Sequence, residues 1–202
     1  MMKFSIRSQE GKKPEKRIVF QTGSFVTFAS VGVEFALQTA QNFLKRKKGM
    51  VIIMKTFQGR VVAPGEVTAK AVVSHAGLNT LASFQKALQF GDKTATCGDQ
   101  NNPDLFGKQM AGKALCLPQT IGSTTGGLVI YCACSMGRQP ACMLFSQPID
   151  SLAGAGVILA DIWLKGDHTK MPVIDSLGEE FLSYVKDDMT IAIKPDGVVE
   201  VA

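Results

Sequence analysis

The run Leu115-Cys116-Leu117-Pro118-Gln119-Thr120-Ile121-Gly122-Ser123-Thr124-Thr125-Gly126-Gly127 can be folded in few ways. Residues 113–117 are short and apolar enough for a buried strand, which must stop at Pro118 because proline brings no N–H to a ladder. Three consecutive hydroxyl side chains follow, then a glycine pair that opens a second apolar segment, residues 128–136. The β-branched pair Val129-Ile130 favours a strand there, whereas the position directly after a glycine-rich turn favours a helix. Helix is the reading taken. A buried strand, a tight turn and a helix in succession form the unit of an α/β layered domain. Ser123, Thr124 and Thr125 then stand at a helix N-terminus, where backbone N–H groups and the positive dipole end stabilise an anion. The anion could be a substrate carboxylate or phosphate, or the alkoxide of Ser123 itself. The plain alternative is an ordinary N-cap beside a glycine turn.

The flanking patterns agree with alternating strands and helices. Residues 59–62 and 67–73 read as strands around the Pro64-Gly65 turn. Residues 78–90 carry Leu81, Phe84 and Leu88 at helical spacing, with Thr80 as N-cap. Residues 98–104 form a polar loop turning at Asn102-Pro103, and residues 141–145 a further strand before Pro148. Asp150-Ser151 caps a helix over residues 152–164, whose Ala153-Gly154-Ala155-Gly156 would let its backbone pack close to a sheet. Short strands at 172–174, 190–193 and 198–201 finish the chain, the last two joined by Pro195-Asp196-Gly197.

Charge divides the chain. Of 22 Lys and Arg and 17 Asp and Glu, residues 1–53 hold ten and three, leaving 12 bases against 14 acids in residues 54–202. The body therefore gives no electrostatic reason to bind nucleic acid, despite a net charge of +5 for the whole. The first 53 residues include the charge run 11–17 and a helical face of Val33, Ala36, Leu37, Ala40 and Leu44 that ends in Lys45-Arg46-Lys47-Lys48. Such a helix can lie on a membrane or a partner; otherwise residues 1–53 are a basic extension, disordered or not translated. Met54 opens directly into strand-like sequence, and Lys47-Lys48-Gly49 can be encoded by a purine-rich tract of ribosome-binding type, so translation from Met54 (or Met50) is the expectation.

Five cysteines in no short framework pattern point to reduced thiols in a cytoplasmic protein. No apolar run reaches transmembrane length, and the segment after Lys16-Arg17 is interrupted by Gln21, Glu34 and Gln38, unlike a secretory signal. No membrane association is expected of the body. Cys132-Ala133-Cys134 has one intervening residue where zinc and cluster knuckles have two, and Cys97, Cys116 and Cys142 are scattered, so no metal site is expected. His75 and His168 read as surface or capping residues, and Trp163 as core or interface.

Several stretches, in order, resemble the small subunit of the aconitase X family. They are Gly59-Arg60-Val61-Val62-Ala63-Pro64-Gly65-Glu66, Gly77-Leu78-Asn79-Thr80-Leu81-Ala82-Ser83-Phe84, and Gly98-Asp99-Gln100-Asn101-Asn102-Pro103-Asp104-Leu105-Phe106-Gly107-Lys108. Gly112-Lys113 and Asp150-Ser151-Leu152-Ala153-Gly154-Ala155-Gly156 complete the set. Residues 121–127 take the place of the glycine-serine active-site loop of aconitase-like swivel domains. The resemblance covers residues 54–202 and fails for 1–53.

What the resemblance implies is a swivelling β/β/α domain that closes over a larger subunit. That partner would hold an iron–sulfur cluster, none being bound by this chain alone, and the pair would remove water from a hydroxy acid. Members of the family act on cis-3-hydroxyproline in bacteria and on mevalonate 5-phosphate in archaea. Ser123 would be the base, while Thr124, Thr125 and the Gly126 and Gly127 amides would hold substrate oxygens. Asn79, Thr80 and Ser83, and the cluster of Asp99, Asn101, Asn102 and Asp104, would approach the substrate and shape specificity. From the residues alone, the first group could equally be an N-cap and the second an Asx-type turn. Cys97, in the polar loop, is the thiol that could face the partner's cluster. Thr125 stands where the aconitase loop has an arginine, which inclines the reading to a non-phosphorylated substrate. The competing function is a non-catalytic module that merely holds an anion. Translation from Met54 predicts that mass spectrometry of the native protein finds no peptide from residues 18–43; their recovery overturns that start site.

Overall fold

Every residue of the runs Ala114–Leu117 and Cys142–Phe145 is buried, which a strand achieves only when both faces of its sheet are covered. The computed structural model describes residues 54–122, 124–166 and 170–202. The basic extension, Ser123 and His168 lie outside the described residues. In chain order the elements are β1 (Lys55–Gln58), β2 (Arg60–Ala63), β3 (Val67–Val73), β4 (Leu78–Asn79), α1 (Thr80–Phe90), β5 (Ala114–Leu117), β6 (Thr120–Ile121) and α2 (Gly126–Ser135). They continue with β7 (Cys142–Phe145), α3 (Ser151–Trp163), β8 (Val173–Asp175), α4 (Glu179–Tyr184), β9 (Thr190–Ile193) and β10 (Val198–Val201).

Eight strands form one sheet in the order β1-β10-β9-β3-β5-β7-β8-β2. Its centre, β3-β5-β7-β8, is parallel; β2 adds antiparallel to β8, and the β9–β10 hairpin and β1 add antiparallel on the other side. β3 serves both halves, pairing with β9 through residues 67–70 and with β5 through residues 71–73. The outermost strands β1 and β2 are separated in sequence by Gly59 alone, so the sheet must curl until its two edges meet there. Gly59 N–H donates to the Gly197 carbonyl at 3.2 Å. A Cβ at Gly59 would come within 2.5 Å of Ile174 Cγ2 and 2.6 Å of the Asp175 carbonyl, so no larger residue fits without a shift.

Alternation along the central strands assigns the two cores. Val72, Leu115, Leu117, Met143, Phe145 and Val173 face the layer of α1, α2 and α3. Ala71, Val73, Ala114, Cys116, Cys142, Leu144 and Ile174 face the opposite core, where Phe57, Ile191, Ile193, Val199 and Val201 fold over from β1, β9 and β10 and Phe181 joins from α4. This is the expected β/β/α layering, and an α/β layered domain is what the alternating strands and helices implied. No described helix is long and apolar enough to cross a membrane.

The segment read as a helix over 128–136 is α2. β2 and β3, adjacent in sequence, do not pair with each other. The N-cap of α1 is Asn79, whose Oδ1 accepts from Ala82 N–H at 3.2 Å, and not Thr80; the helix therefore starts one residue earlier than a Thr80 cap implies, directly after the short ladder of β4 ends at Asn79. Of the small residues of α3, Gly156 faces α2 while Gly154 faces the Ile149 side chain. A Cβ at Gly156 would lie 2.1 Å from the Gly127 carbonyl oxygen, and one at Gly127 would lie 2.2 Å from the Leu152 carbonyl oxygen. The two helices therefore touch backbone to backbone. Trp163 is exposed at the end of α3.

Asp175 is fully buried and ties three segments together. Its Oδ1 accepts from Arg60 Nε at 2.9 Å and Ser176 Oγ at 3.2 Å, and its Oδ2 from Arg60 Nη2 at 2.5 Å and Ile149 N–H at 2.9 Å. Burial pushes its pKa up, but the hydrogen bonds from Arg60 and Ile149 and the charge of Arg60 outweigh burial and hold it below the usual aspartate value.

Two outcomes follow from this packing. Gly156→Ala should lower stability by about 3 kcal/mol, read as a fall in Tm of about 9 °C. Asp175 contributes stability above the unfolded aspartate pKa and loses it as pH falls through the lower folded value. Asp175→Asn should therefore lower Tm at pH 7 and flatten the decline in Tm below pH 4; an unchanged acid limb would contradict this.

Candidate functional site

The parallel strands β3, β5 and β7 run in the same direction, so the segments leaving their carboxyl ends emerge at one edge of the sheet, where α/β folds place ligands. Residues 74–79 lead to α1, residues 118–125 to α2, and residues 146–150 to α3. The first two segments are laced side by side by β4 and β6, which pair in parallel with Leu78 opposite Thr120 and Asn79 opposite Ile121. Three helix N-termini thereby converge on a shallow cleft of about 310 Å³, lined by Thr80, Thr120, Ile121, Gly122, Gly126 and residues 150–153.

The three termini are finished differently. Asn79 caps α1. Asp150 caps α3, its Oδ1 accepting from Leu152 and Ala153 N–H groups at 2.9 Å each, while its Oδ2 accepts the Thr120 hydroxyl proton. The charge of the carboxylate in the cleft is thus spread over three donors. At α2 the N-cap is Thr125, whose side chain makes no cap hydrogen bond, and Gly126 forms part of the cleft wall. An anion placed there meets helix amides and the positive end of the dipole. Gly122 has φ +105°, a backbone region that side chains rarely adopt, and a Cβ on it would press on the Asn79 side chain at 3.3 Å. The turn just before Ser123 therefore needs glycine twice over.

Of the residues expected at a site, Thr80 and Gly126 line this cleft. Thr124 and Thr125 are exposed beside it in sequence. Gly127 is buried where α2 touches α3. Asn79 is half-buried as the cap of α1. Ser83 is fully buried one turn further on, its hydroxyl making no hydrogen bond. The third cluster stands apart from the cleft lining. Asp99 is buried with Oδ1 accepting from Asn101 N–H at 3.0 Å, and Asn101 is exposed. Asn102 is buried and bonded to Ser74 Oγ, to the Gly77 carbonyl at 3.4 Å and to Leu105 N–H at 3.1 Å. Asp104 Oδ2 accepts from His75 N–H at 2.7 Å. This loop braces the segment that delivers Asn79.

Thr120, and Asp150 as a cleft group, escaped the sequence reading. Thr120 offered no signal beyond preceding the loop, and the capping role of Asp150 was legible while its second oxygen was not.

The thiols point away from metal chemistry. Cys97 is fully buried in the helix-side core, its N–H donating to the Lys108 carbonyl, so it does not face outward from the polar loop. Burial pushes the Cys134 pKa up to about 12 and raises those of Cys116 and Cys142 further. Among the described residues no three His, Cys, Asp or Glu side chains gather as a metal site would require.

A sequence model of the aconitase X swivel domain matches residues 56–201. The phosphomevalonate dehydratase small subunit of Thermococcus onnurineus is 27% identical over 145 residues, 71% of this chain and 96% of that protein. The protein of the same name from Methanothrix thermoacetophila is 34% identical over 108 residues, 48% of this chain and 69% of that protein. The crystal structure of Thermococcus kodakaraensis aconitase X in its holo-form superposes with a TM-score of 0.59 at 24% identity, covering 73% of this chain and 98% of that one. At that identity the likeness speaks for the fold.

Proposed function

Because the chain belongs to the aconitase X swivel-domain family, we propose that it is the small subunit of a cytoplasmic dehydratase and supplies a serine base to a site completed by a larger chain. The observation that carries this reading is the convergence of three helix N-termini on a cleft lined by Gly122 and Gly126, which flank Ser123 in sequence. A serine hydroxyl gives up its proton to become the alkoxide base only where nearby donors stabilise the oxyanion, and the first turn of α2 is a source of such donors. In the proposed reaction the Ser123 alkoxide takes the proton on the carbon beside the substrate carboxylate. The C–H electron pair becomes the double bond, and the hydroxyl group leaves with its own bonding pair. Thr124, Thr125 and the amides of Gly126 and Gly127 hold substrate oxygens. Thr80 reaches the same pocket from the start of α1, with Asn79 capping that helix; in this reading Asn79, Ser83, Asp99, Asn101 and Asn102 act on specificity from around it.

The relatives named as phosphomevalonate dehydratase small subunits direct the substrate toward a phosphorylated hydroxy acid. The missing arginine in the loop does not oppose this, since helix N-termini bind phosphate through backbone amides. Mevalonate 5-phosphate is therefore the first substrate to try and cis-3-hydroxyproline the second. The described residues of this chain do not fit as ligands of an iron–sulfur cluster, and the proposal leaves any such cluster to the partner. Leu152, Ile158, Leu159, Ile162 and Trp163 are exposed along α3, starting at the cleft; an apolar face of this kind favours coverage by another chain.

The test is reconstitution with an aconitase X large subunit from the same organism. The complex should dehydrate one of the two substrates, and Ser123→Ala should lower kcat on the order of a thousandfold with association and substrate binding retained. A loss of affinity in place of turnover would instead identify an anion-binding module. Activity insensitive to Ser123→Ala would remove the serine base.

A further inference from the structure

We propose that Thr120 and Asp150 are a positioning pair that fixes the entry to the hydroxyl loop; its consequence for turnover rests on the dehydratase reading above. Thr120 is buried three residues before Ser123, and its hydroxyl donates to Asp150 Oδ2. Asp150 is itself held hard. Its Oδ1 is bonded to two amides of α3, that helix is pressed backbone to backbone on α2 at Gly127 and Gly156, and the neighbouring Ile149 N–H is bonded to buried Asp175. Asp150 is thus a fixed point of the scaffold presented to the cleft.

The loop from 121 to 125 has a firm exit, because Gly126 begins α2. Its entry is secured on one side by the two-residue ladder of β6 with β4 and on the other by the Thr120–Asp150 hydrogen bond. A ladder so short is a weak restraint, and Gly122 within the loop adds backbone freedom. The hydroxyl of Thr120 therefore decides how well Gly122 and the residues after it are placed over the first turn of α2. The bond also engages the carboxylate oxygen that α3 does not use. Removing the hydroxyl leaves that oxygen facing the cleft with its negative charge less satisfied, next to the place where an anion is to bind. Neither residue touches the reacting atoms in this scheme; both act through the loop.

Thr120→Val keeps the side-chain shape and removes the donor, and Thr120→Ser restores it. In the full chain, amide exchange of residues 121, 122 and 124–126 should be at least about tenfold faster in Thr120→Val, with the β5 amides unchanged and Thr120→Ser close to wild type. In the two-subunit complex with mevalonate 5-phosphate, kcat should fall about 30-fold while KM stays within about threefold, and Thr120→Ser should recover most of it. Loop amides that exchange at the wild-type rate overturn the proposal. So does exchange that rises equally in β5, which would mark a general loss of stability, and so does a kcat within twofold of wild type in an active complex. Faster loop exchange together with a wild-type complex that dehydrates neither substrate upholds the positioning pair and removes the dehydratase reading.

Discussion

The contact between Gly127 and Gly156 is the constraint on which the site depends. Helices that carry ordinary side chains keep their axes 8–10 Å apart; a Cβ at either glycine would collide with carbonyl oxygen of the other helix. The crossing falls within the first turn of α2 and the second turn of α3. Both N-termini are thereby brought to one place, and Gly126 and residues 150–153 become walls of the same cleft. Moving the crossing by a turn along either helix would separate them.

Around that contact, polar side chains that each bond to more than one segment do the work of alignment. Asp175 joins β2 to the segment before α3 through Arg60 and Ile149. Asp150 joins α3 to β6 through Leu152, Ala153 and Thr120. Asn102 joins the polar loop to residues 74–77 and so to the start of α1. Asp175 and Asn102 are buried, and the bonds that engage their several polar atoms are what makes that burial tolerable. The loops at the carboxyl edge are held by these bonds together with the apolar packing of Leu78, Leu105 and Ile149.

A domain built this way has a rigid interior and one shallow, polar opening with an apolar helix face running away from it. An exposed apolar face of this kind is the sort of surface another chain covers, which agrees with the proposed role as a subunit. The sheet is curled until its four-residue outer strands β1 and β2 meet at Gly59.

Local pattern determined much of this protein. The strands at 60–63, 67–73, 114–117, 142–145, 173–175, 190–193 and 198–201, the helices opening near 80, 126 and 151, the turn at residues 195–197 and the layered class were legible because turn chemistry, capping residues and apolar periodicity act over a few neighbours. The two-residue strands 78–79 and 120–121 and the short helix 179–184 carry too little pattern to be read this way. The glycine-hydroxyl run was legible as a turn that opens a helix. Contacts distant in sequence were not. That Gly59 closes the sheet, that Gly156 of α3 meets α2, that Cys97 turns inward, and that Thr120 finds Asp150 thirty residues away depend on which elements lie side by side. Strand order and helix crossing decide that, and they emerge only when two apolar faces of the same sheet are buried at once, a condition set by the whole chain and written in no single segment of it.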